Sequence, residues 1–305
     1  MITVVGSLNM DLVTYVDKMP KPGQTVMGRS FKQMAGGKGA NQADAIAKLG
    51  ATVKMIGCIG DDDLGRTLIS SLKKDGVDIS GVSTVGEVST GIASITVDAD
   101  GNNCIAVVPG ANNMLTVDRI NLSMKAIYES DIVVAQLEVP MDTIKYAMKA
   151  AKNFGKLTIL NPAPAMELDD EILREVDYLI PNDTELEVIS GINIENDDDM
   201  RRAAGILINR GVSDLIVTLG DKGCMHFNSR GEKKYDAYSV RAVDTTAAGD
   251  RFIGALAVSL HQGKKIEDAI QYAMAVGAIT VTRIGAQSSL PNACEVDAFI
   301  KTGGI

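Results

Sequence analysis

What most narrows the fold of this chain is a rhythm of short apolar runs alternating with longer stretches of helical periodicity. Ile2–Val5, Ile132–Ala135, Leu157–Leu160, Tyr178–Ile180 and Leu215–Leu219 read as strands buried on both faces. Helical patterns occupy Asn41–Leu49, Leu64–Lys73, Thr143–Phe154, Met200–Asn209, Arg251–His261 and Ile266–Val281. A strand without a polar face must be covered on both sides, and parallel neighbours need a crossover between them. The alternation predicts an α/β fold: a doubly wound, mostly parallel sheet flanked by helices. At 305 residues the chain can bury a large core as one unit.

Two segments break the rhythm. Leu12–Val16 and Gly28–Met34 flank the turn Pro20-Lys21-Pro22-Gly23, and Thr90–Val97 and Cys104–Val108 flank Asp98-Ala99-Asp100-Gly101. Turn residues between alternating strands signal hairpins. These antiparallel strands read as a small separate β-sheet lid, or else as two surface hairpins. With a lid, the chain divides into an α/β core of residues 1–8, 36–88 and 111–305 and a β lid of residues 9–35 and 89–110.

A net charge of −9 argues against a broad basic face for nucleic acid. No apolar stretch approaches the roughly 18 residues of a membrane span, and the N-terminus enters a strand directly, so the expected location is the cytoplasm. Cys58, Cys104, Cys224 and Cys294 are widely spaced and read as reduced, mostly buried thiols. With His226 and His261 the only histidines, a His/Cys zinc site is disfavoured.

Among the motifs, Asp244-Thr245-Thr246-Ala247-Ala248-Gly249-Asp250 runs straight into an apolar helix. Small residues let backbone N–H groups at a helix N-terminus face an anion. A carboxylate beside that anion can take a proton from a hydroxyl attacking phosphorus, which gives Asp250 the role of base. Alternatively Asp250 only caps the helix. Gly36-Gly37-Lys38-Gly39-Ala40-Asn41-Gln42-Ala43 also precedes a helix, and its glycines permit close approach to a ligand. It matches neither the Walker nor the dinucleotide pattern. Further polar or glycine positions fall at predicted strand ends: Asn9, Asp11, Glu138, Asn161, Asn182, Glu185, Gly220 and Gly223. Each alone is a cap or turn; together they sit where open α/β sheets bind ligands.

With Gly6–Asp11, Gly36–Ala43, Asn161–Ala165, Pro181–Glu185, Thr218–Gly223, Asp244–Asp250 and Thr282–Gln287 in this order, the chain resembles the ribokinase-like (PfkB) carbohydrate kinases over essentially its whole length. The family also includes adenosine kinase and fructokinases. The resemblance implies a doubly wound core with a lid that pairs with a second subunit to form a homodimer. It implies sugar contacts at Asn9, Asp11, Gly37, Lys38, Gly39, Asn41 and Glu138, with Asp250 as base. It implies an anion hole at Ala247, Ala248 and Gly249, a magnesium and phosphate motif at Asn182 and Glu185, and nucleotide contacts at Thr218, Gly220, Gly223 and Gly249. Asp244, Thr246, Thr280, Arg283, Gly285 and Ser289 match positions around a monovalent cation, partly through carbonyls. The implied reactants are ATP and a sugar, with Mg²⁺ and K⁺.

The expected reaction is ATP-dependent phosphorylation of D-ribose at its 5-hydroxyl. Its rivals are a kinase for 2-deoxyribose, adenosine or a ketohexose, and a catalytically weak sugar or nucleotide sensor. Two positions depart from the pattern. Met274 stands where some relatives place a polar or aromatic group beside adenine. Arg251 stands where many carry Thr. Its side chain has three expected orientations: along the helix surface, into an ion pair that impairs Asp250, or onto the phosphates.

Overall fold

The computed structural model of the chain describes residues 1–283 and 290–303. In chain order, β1 (Ile2–Val5) leads into β2 (Asn9–Val16) and β3 (Gly28–Gly36). Next come α1 (Lys38–Lys48), β4 (Val53–Gly60), α2 (Asp63–Lys74), β5 (Asp78–Val85), β6 (Gly91–Val97) and β7 (Asn103–Val108). After α3 (Val117–Leu122) and α4 (Met124–Glu129), the chain alternates through β8 (Ile132–Gln136), α5 (Met141–Asn153), β9 (Leu157–Asn161), α6 (Asp170–Leu173) and β10 (Tyr178–Leu179). It continues with α7 (Asp183–Ser190), α8 (Asp197–Asn209), β11 (Asp214–Thr218), β12 (Cys224–Asn228) and β13 (Gly231–Tyr235), and ends with α9 (Ala248–His261), α10 (Ile266–Val281) and α11 (Ala293–Lys301).

The main sheet has nine strands in the order β13-β12-β11-β10-β9-β8-β1-β4-β5. It is parallel from β11 to β5, and β12 and β13 add an antiparallel edge. Alternation along β8 shows the double winding. Ile132 and Val134 pack into one buried layer with α1, α2, α9 and α10, whereas Val133 and Ala135 face the other layer with α5 and α8. No helix among the described residues is long and apolar enough to cross a membrane.

The second sheet has the order β3-β2-β6-β7. It is mixed, which corrects the antiparallel expectation: each hairpin is antiparallel, but β2 and β6 join them in parallel from Asn9↔Gly91 to Tyr15↔Val97. A parallel join fits because both strands leave the core from the same edge. Across the sheet, Val107 pairs with Ala93, and Ala93 with Asp11. Directly paired residues share a face, so the face carrying Asp11 also holds Ala93, Val107, Val13, Ile95 and Ile105, with Lys32 of β3 beside Val13.

Periodicity also misplaced the start of α1, which begins at Lys38, inside the glycine run. Of the cysteines, Cys58 and Cys224 are buried, but Cys104 on β7 and Cys294 on α11 are exposed.

Candidate active site

The first turn of α9 is built without a side-chain cap. Its N-cap, Ala247, takes left-handed geometry at φ 58° and ψ 15°, a conformation that an L residue holds only where its surroundings impose it. The preceding loop is tied to the end of α10, because the N–H groups of Val243 and Asp244 donate to the Val281 carbonyl at 2.7 and 3.1 Å. Asp244 Oδ1 accepts from the Thr246 N–H at 2.9 Å. The uncapped amides of a helix start attract an anion.

The Asp250 carboxylate does not close this turn, which removes the capping alternative. It points instead at α1, where Asn41 Nδ2 donates to Oδ2 and Gln42 Nε2 to Oδ1, each at 3.0 Å. Both amides are therefore spent on holding the carboxylate in place. Gln42 is itself oriented by Gln136, whose Nε2 donates to Gln42 Oε1 at 2.6 Å.

Glu138 organises the N-terminus of α1. Its Oε2 accepts from Ser7 Oγ at 2.5 Å, the Lys38 N–H at 3.1 Å and Asn9 Nδ2 at 3.5 Å. Gly37 sits at φ 91°, and a Cβ there would lie 2.6 Å from the Asn9 nitrogen; only glycine fits this close crossing. Gly39 N donates to Ser7 Oγ at 3.3 Å. Asp11, on β2, lies above Gly36 of β3, with its Oδ2 only 2.5 Å from where a Gly36 Cβ would stand. Burial, then the charges of Glu138 and Asp250, push its pKa up to about 7. For Lys38, burial acts to lower the pKa, but Asp250, Glu138 and Glu185 together hold it above its ordinary value. Asp11, Glu138, Asp250 and Lys38 thus form one electrostatic cluster between the lid and α9.

Two cavities open beside this cluster. A polar one of about 250 Å³ is lined by Lys38, Asn161, Asn182, Glu185 and Asp250 together with Ala247–Gly249. An apolar one of about 370 Å³ is walled by Tyr238, Phe252, Met274 and Gly277, with Gly220 and Gly223 at its side. Both include Thr218, Thr245, Ala248 and Gly249, so the α9 turn separates an apolar slot from a polar chamber. Asn182 and Glu185 do form a helix-capping box on α7, with Asn182 Oδ1 accepting from the Glu185 N–H at 2.7 Å. The same box leaves them on the wall of the polar chamber, and burial raises the Glu185 pKa above its usual range. Asn9, Asp11, Asn41 and Glu138 line neither cavity; they gather on the lid side of α1.

The residues assigned to a monovalent cation are only partly in view. Thr280 Oγ1 donates to the Val276 carbonyl at 2.8 Å, and Arg283 Nη2 to Glu295 Oε1 at 2.8 Å. Gly285 and Ser289 lie outside the described residues. Among the described residues no group of three or more His, Cys, Asp or Glu side chains could hold a metal ion.

Arg251 follows none of its three expected orientations. Its side chain is fully buried and reaches α1, not the surface or the Ala247–Gly249 turn. Its Nη1 donates to the Asn41 carbonyl at 2.7 Å and to Asp44 Oδ2 at 3.3 Å. Nothing in the residue pattern marks Asp44, on an apolar-looking helix, as its partner.

Other contributors also escaped notice. Asn112 follows β7, accepts from the Leu8 N–H at 2.9 Å and donates to Asn9 Oδ1 at 2.7 Å, fixing the entry to the lid. Ser7 and Gln42 lie within motifs already singled out, but nothing in their residue type marks their partners.

Residues 1–293 match the pfkB family carbohydrate kinases. A ribokinase of Haemophilus influenzae is 38% identical over 300 residues, covering 98% of each chain. A deoxyribokinase of Salmonella typhi is likewise 38% identical over 300 residues, with 98% of each covered. The structure of Arabidopsis thaliana ribokinase complexed with ribose and ATP superposes with a TM-score of 0.94 at 31% identity, covering 98% of each chain.

Proposed function

The chain belongs to the pfkB family of carbohydrate kinases, and on that footing we propose that it is an ATP-dependent kinase acting on D-ribose at the 5-hydroxyl. The observation that carries this reading is the Asp250 carboxylate, gripped by Asn41 and Gln42 at the junction of a polar chamber and an uncapped helix start. ATP places its adenine in the apolar slot beside Met274 and its phosphates over Ala247–Gly249. Ribose lies under the lid, between Asp11 and Asn41. The buried Asn41 Oδ1 has no partner among the described residues and is left to accept from a sugar hydroxyl.

In the reaction O5 bonds to the γ-phosphorus while the bond from that phosphorus to the bridging oxygen breaks. The O5 proton passes to Asp250, and ADP leaves with the bridging oxygen. The α9 amides face the charge that spreads over the transferred group, and Lys38 adds a positive charge at the same chamber. Fixed donors of this kind lower the barrier because they need no reorganisation as charge develops. Mg²⁺ neutralises phosphate charge when bound. Glu185 suits it, since Mg²⁺ takes one or two carboxylates plus phosphate oxygens and waters rather than an all-protein cage. K⁺ belongs to the reading through the loop of Asp244 and Thr246 and the end of α10. Backbone carbonyls there, that of Arg283 among them, together with the Thr280 hydroxyl oxygen would hold it, and the bound cation would brace the loop that leads into α9.

The deciding experiment is kcat/KM with ATP across ribose, 2-deoxyribose, adenosine and fructose. Ribose is expected to rank first. A higher value for 2-deoxyribose would move the assignment to deoxyribokinase, and sugar binding without ADP release would make the protein a sensor. The same assay in KCl and NaCl at constant ionic strength should run faster in KCl; equal saturated rates would remove K⁺.

A further inference from the structure

The assigned base, Asp250, is followed by the most deeply buried cation in the protein. Arg251 is the largest of the fully buried side chains, at 0% exposure. A buried guanidinium survives only when its charge is met. Here it is met across a helix interface: the α1 side supplies the Asn41 carbonyl and the Asp44 carboxylate, itself 0% exposed. Asp44 is shared with Lys48, one turn along α1, at 3.1 Å, and Lys48 reaches Asp75 at 3.5 Å.

The geometry repeats what Asp250 does. Consecutive residues of α9 both dock on one turn of α1, Asp250 on the side-chain amides of Asn41 and Gln42 and Arg251 on the backbone of Asn41 and on Asp44. One turn further along α9, Gly254 allows the helices to close; a Cβ there would stand 2.6 Å from the Ala45 Cβ. Asn41 is thus held from both sides, its amide by the base and its carbonyl by Arg251. Displacement of α1 along α9 would carry both amides away from Asp250.

We propose that Arg251 and Asp44 are positioning residues: a buried ion pair that fixes α1 against α9 and so keeps the Asn41 and Gln42 amides on the catalytic carboxylate. The inference rests on the kinase reading above. It also explains how a cation is accommodated beside a base: Arg251 donates to Asp44 and the Asn41 carbonyl and not to Asp250, although its charge still acts on Asp250.

The test is steady-state kinetics of Arg251→Thr, Asp44→Asn, Arg251→Lys and the double variant Arg251→Thr/Asp44→Val. Ribose and ATP are varied independently, at a temperature well below each variant's Tm. Each of the first two is expected to lower kcat roughly tenfold, since misplacement of reacting groups by a fraction of an ångström is costly, with both KM values within about twofold. Arg251→Lys keeps the charge and should retain most of the turnover. The double variant leaves no unpaired charge and should recover much of what either single change loses. A lowered Tm with unchanged kcat would make the pair purely structural, and a raised kcat for Arg251→Thr would mean that the arginine hinders the base. Either result overturns the proposal. Should Arg251→Thr not fold, Arg251→Lys and the double variant decide it by the same kcat criterion. Wild-type enzyme that turns over no sugar with ATP would instead overturn the kinase reading itself.

Discussion

The floor of the site and its lid solve opposite problems. At the floor, α1 and α9 meet through buried polar side chains, with Asp250, Arg251 and Asp44 all at or below 7% exposure. Water is excluded there and the charges are met from within the chain, while Asn41 Oδ1 has no partner among the described residues. The lid presents instead Ile105 at 53% and Val107 at 50% exposure on the face that carries Asp11. Small sheets with an open apolar face are marginal in water. The floor is therefore preset for chemistry, whereas the lid takes its final surroundings from whatever comes to lie against it. Substitutions on the floor should act on kcat, and those in the lid on the sugar and on assembly.

The sharpest break in that comparison is Asp250→Asn. The amide keeps the shape of the carboxylate but cannot take the O5 proton. It is expected to lower kcat by about 10²–10⁴-fold, the range for loss of a general base, with little change in ribose affinity measured by titration calorimetry. Near-normal turnover in the folded variant would remove Asp250 from the role of base.

How much of this could be read beforehand follows the same division. The parallel strands were legible because both their faces are buried, and the strand-end residues Asn161, Asn182 and Thr218 do fall on one edge of the sheet. The strands β4 and β5 were not. Gly57 and Gly60 interrupt the apolar run of β4, and β5 is an edge strand with polar positions throughout. Charged β13 was hidden for the same reason. At the site, motif residues could be named, but their partners could not. Arg251 looked like a cation on the surface, paired with Asp250 or facing the phosphates, because a first-turn arginine is ordinarily solvated. Its burial depends on Asp44, far away in sequence, and only the packing of two helices over Gly254 brings the charges together.

Asp11 tests the boundary between floor and lid. With its pKa raised from 3.8 to about 7, the free protein favours the protonated form over that interval. Its contribution to stability is therefore present at low pH and lost as pH rises from about 4 to 7, because the folded state binds the proton more tightly than the unfolded state. Sugar binding has the opposite sign, since only the carboxylate accepts hydrogen bonds from two hydroxyls. The ratio of kcat/KM for ribose over 2-deoxyribose should rise by about tenfold between pH 6 and 8, as the site gains an acceptor that the deoxy sugar leaves unpaired. Asp11→Asn should flatten that rise and narrow the ratio. A ratio independent of both pH and the substitution would separate Asp11 from hydroxyl recognition.

The smallest kinetic effect is expected from the lid surface. We propose that two copies of the chain cover each other's lids, since the apolar row Ile105, Ile95 and Val13 runs alongside the row Val107, Ala93 and Asp11. A second lid laid over these rows would remove Ile105 and Val107 from water and steady β2, which carries Asp11. Val107→Lys places a charge at the centre of that contact, where it cannot be buried without a partner. Light scattering should then shift from a two-chain mass to a one-chain mass. Because ordering the lid would fall to the sugar alone, the ribose KM should rise on the order of threefold, while kcat, set at the floor, stays within error. A wild-type protein that scatters as a single chain at assay concentration would break the proposal. A monomeric Val107→Lys variant with lowered kcat would show that the lid reaches the chemistry more directly than the contrast with the floor allows.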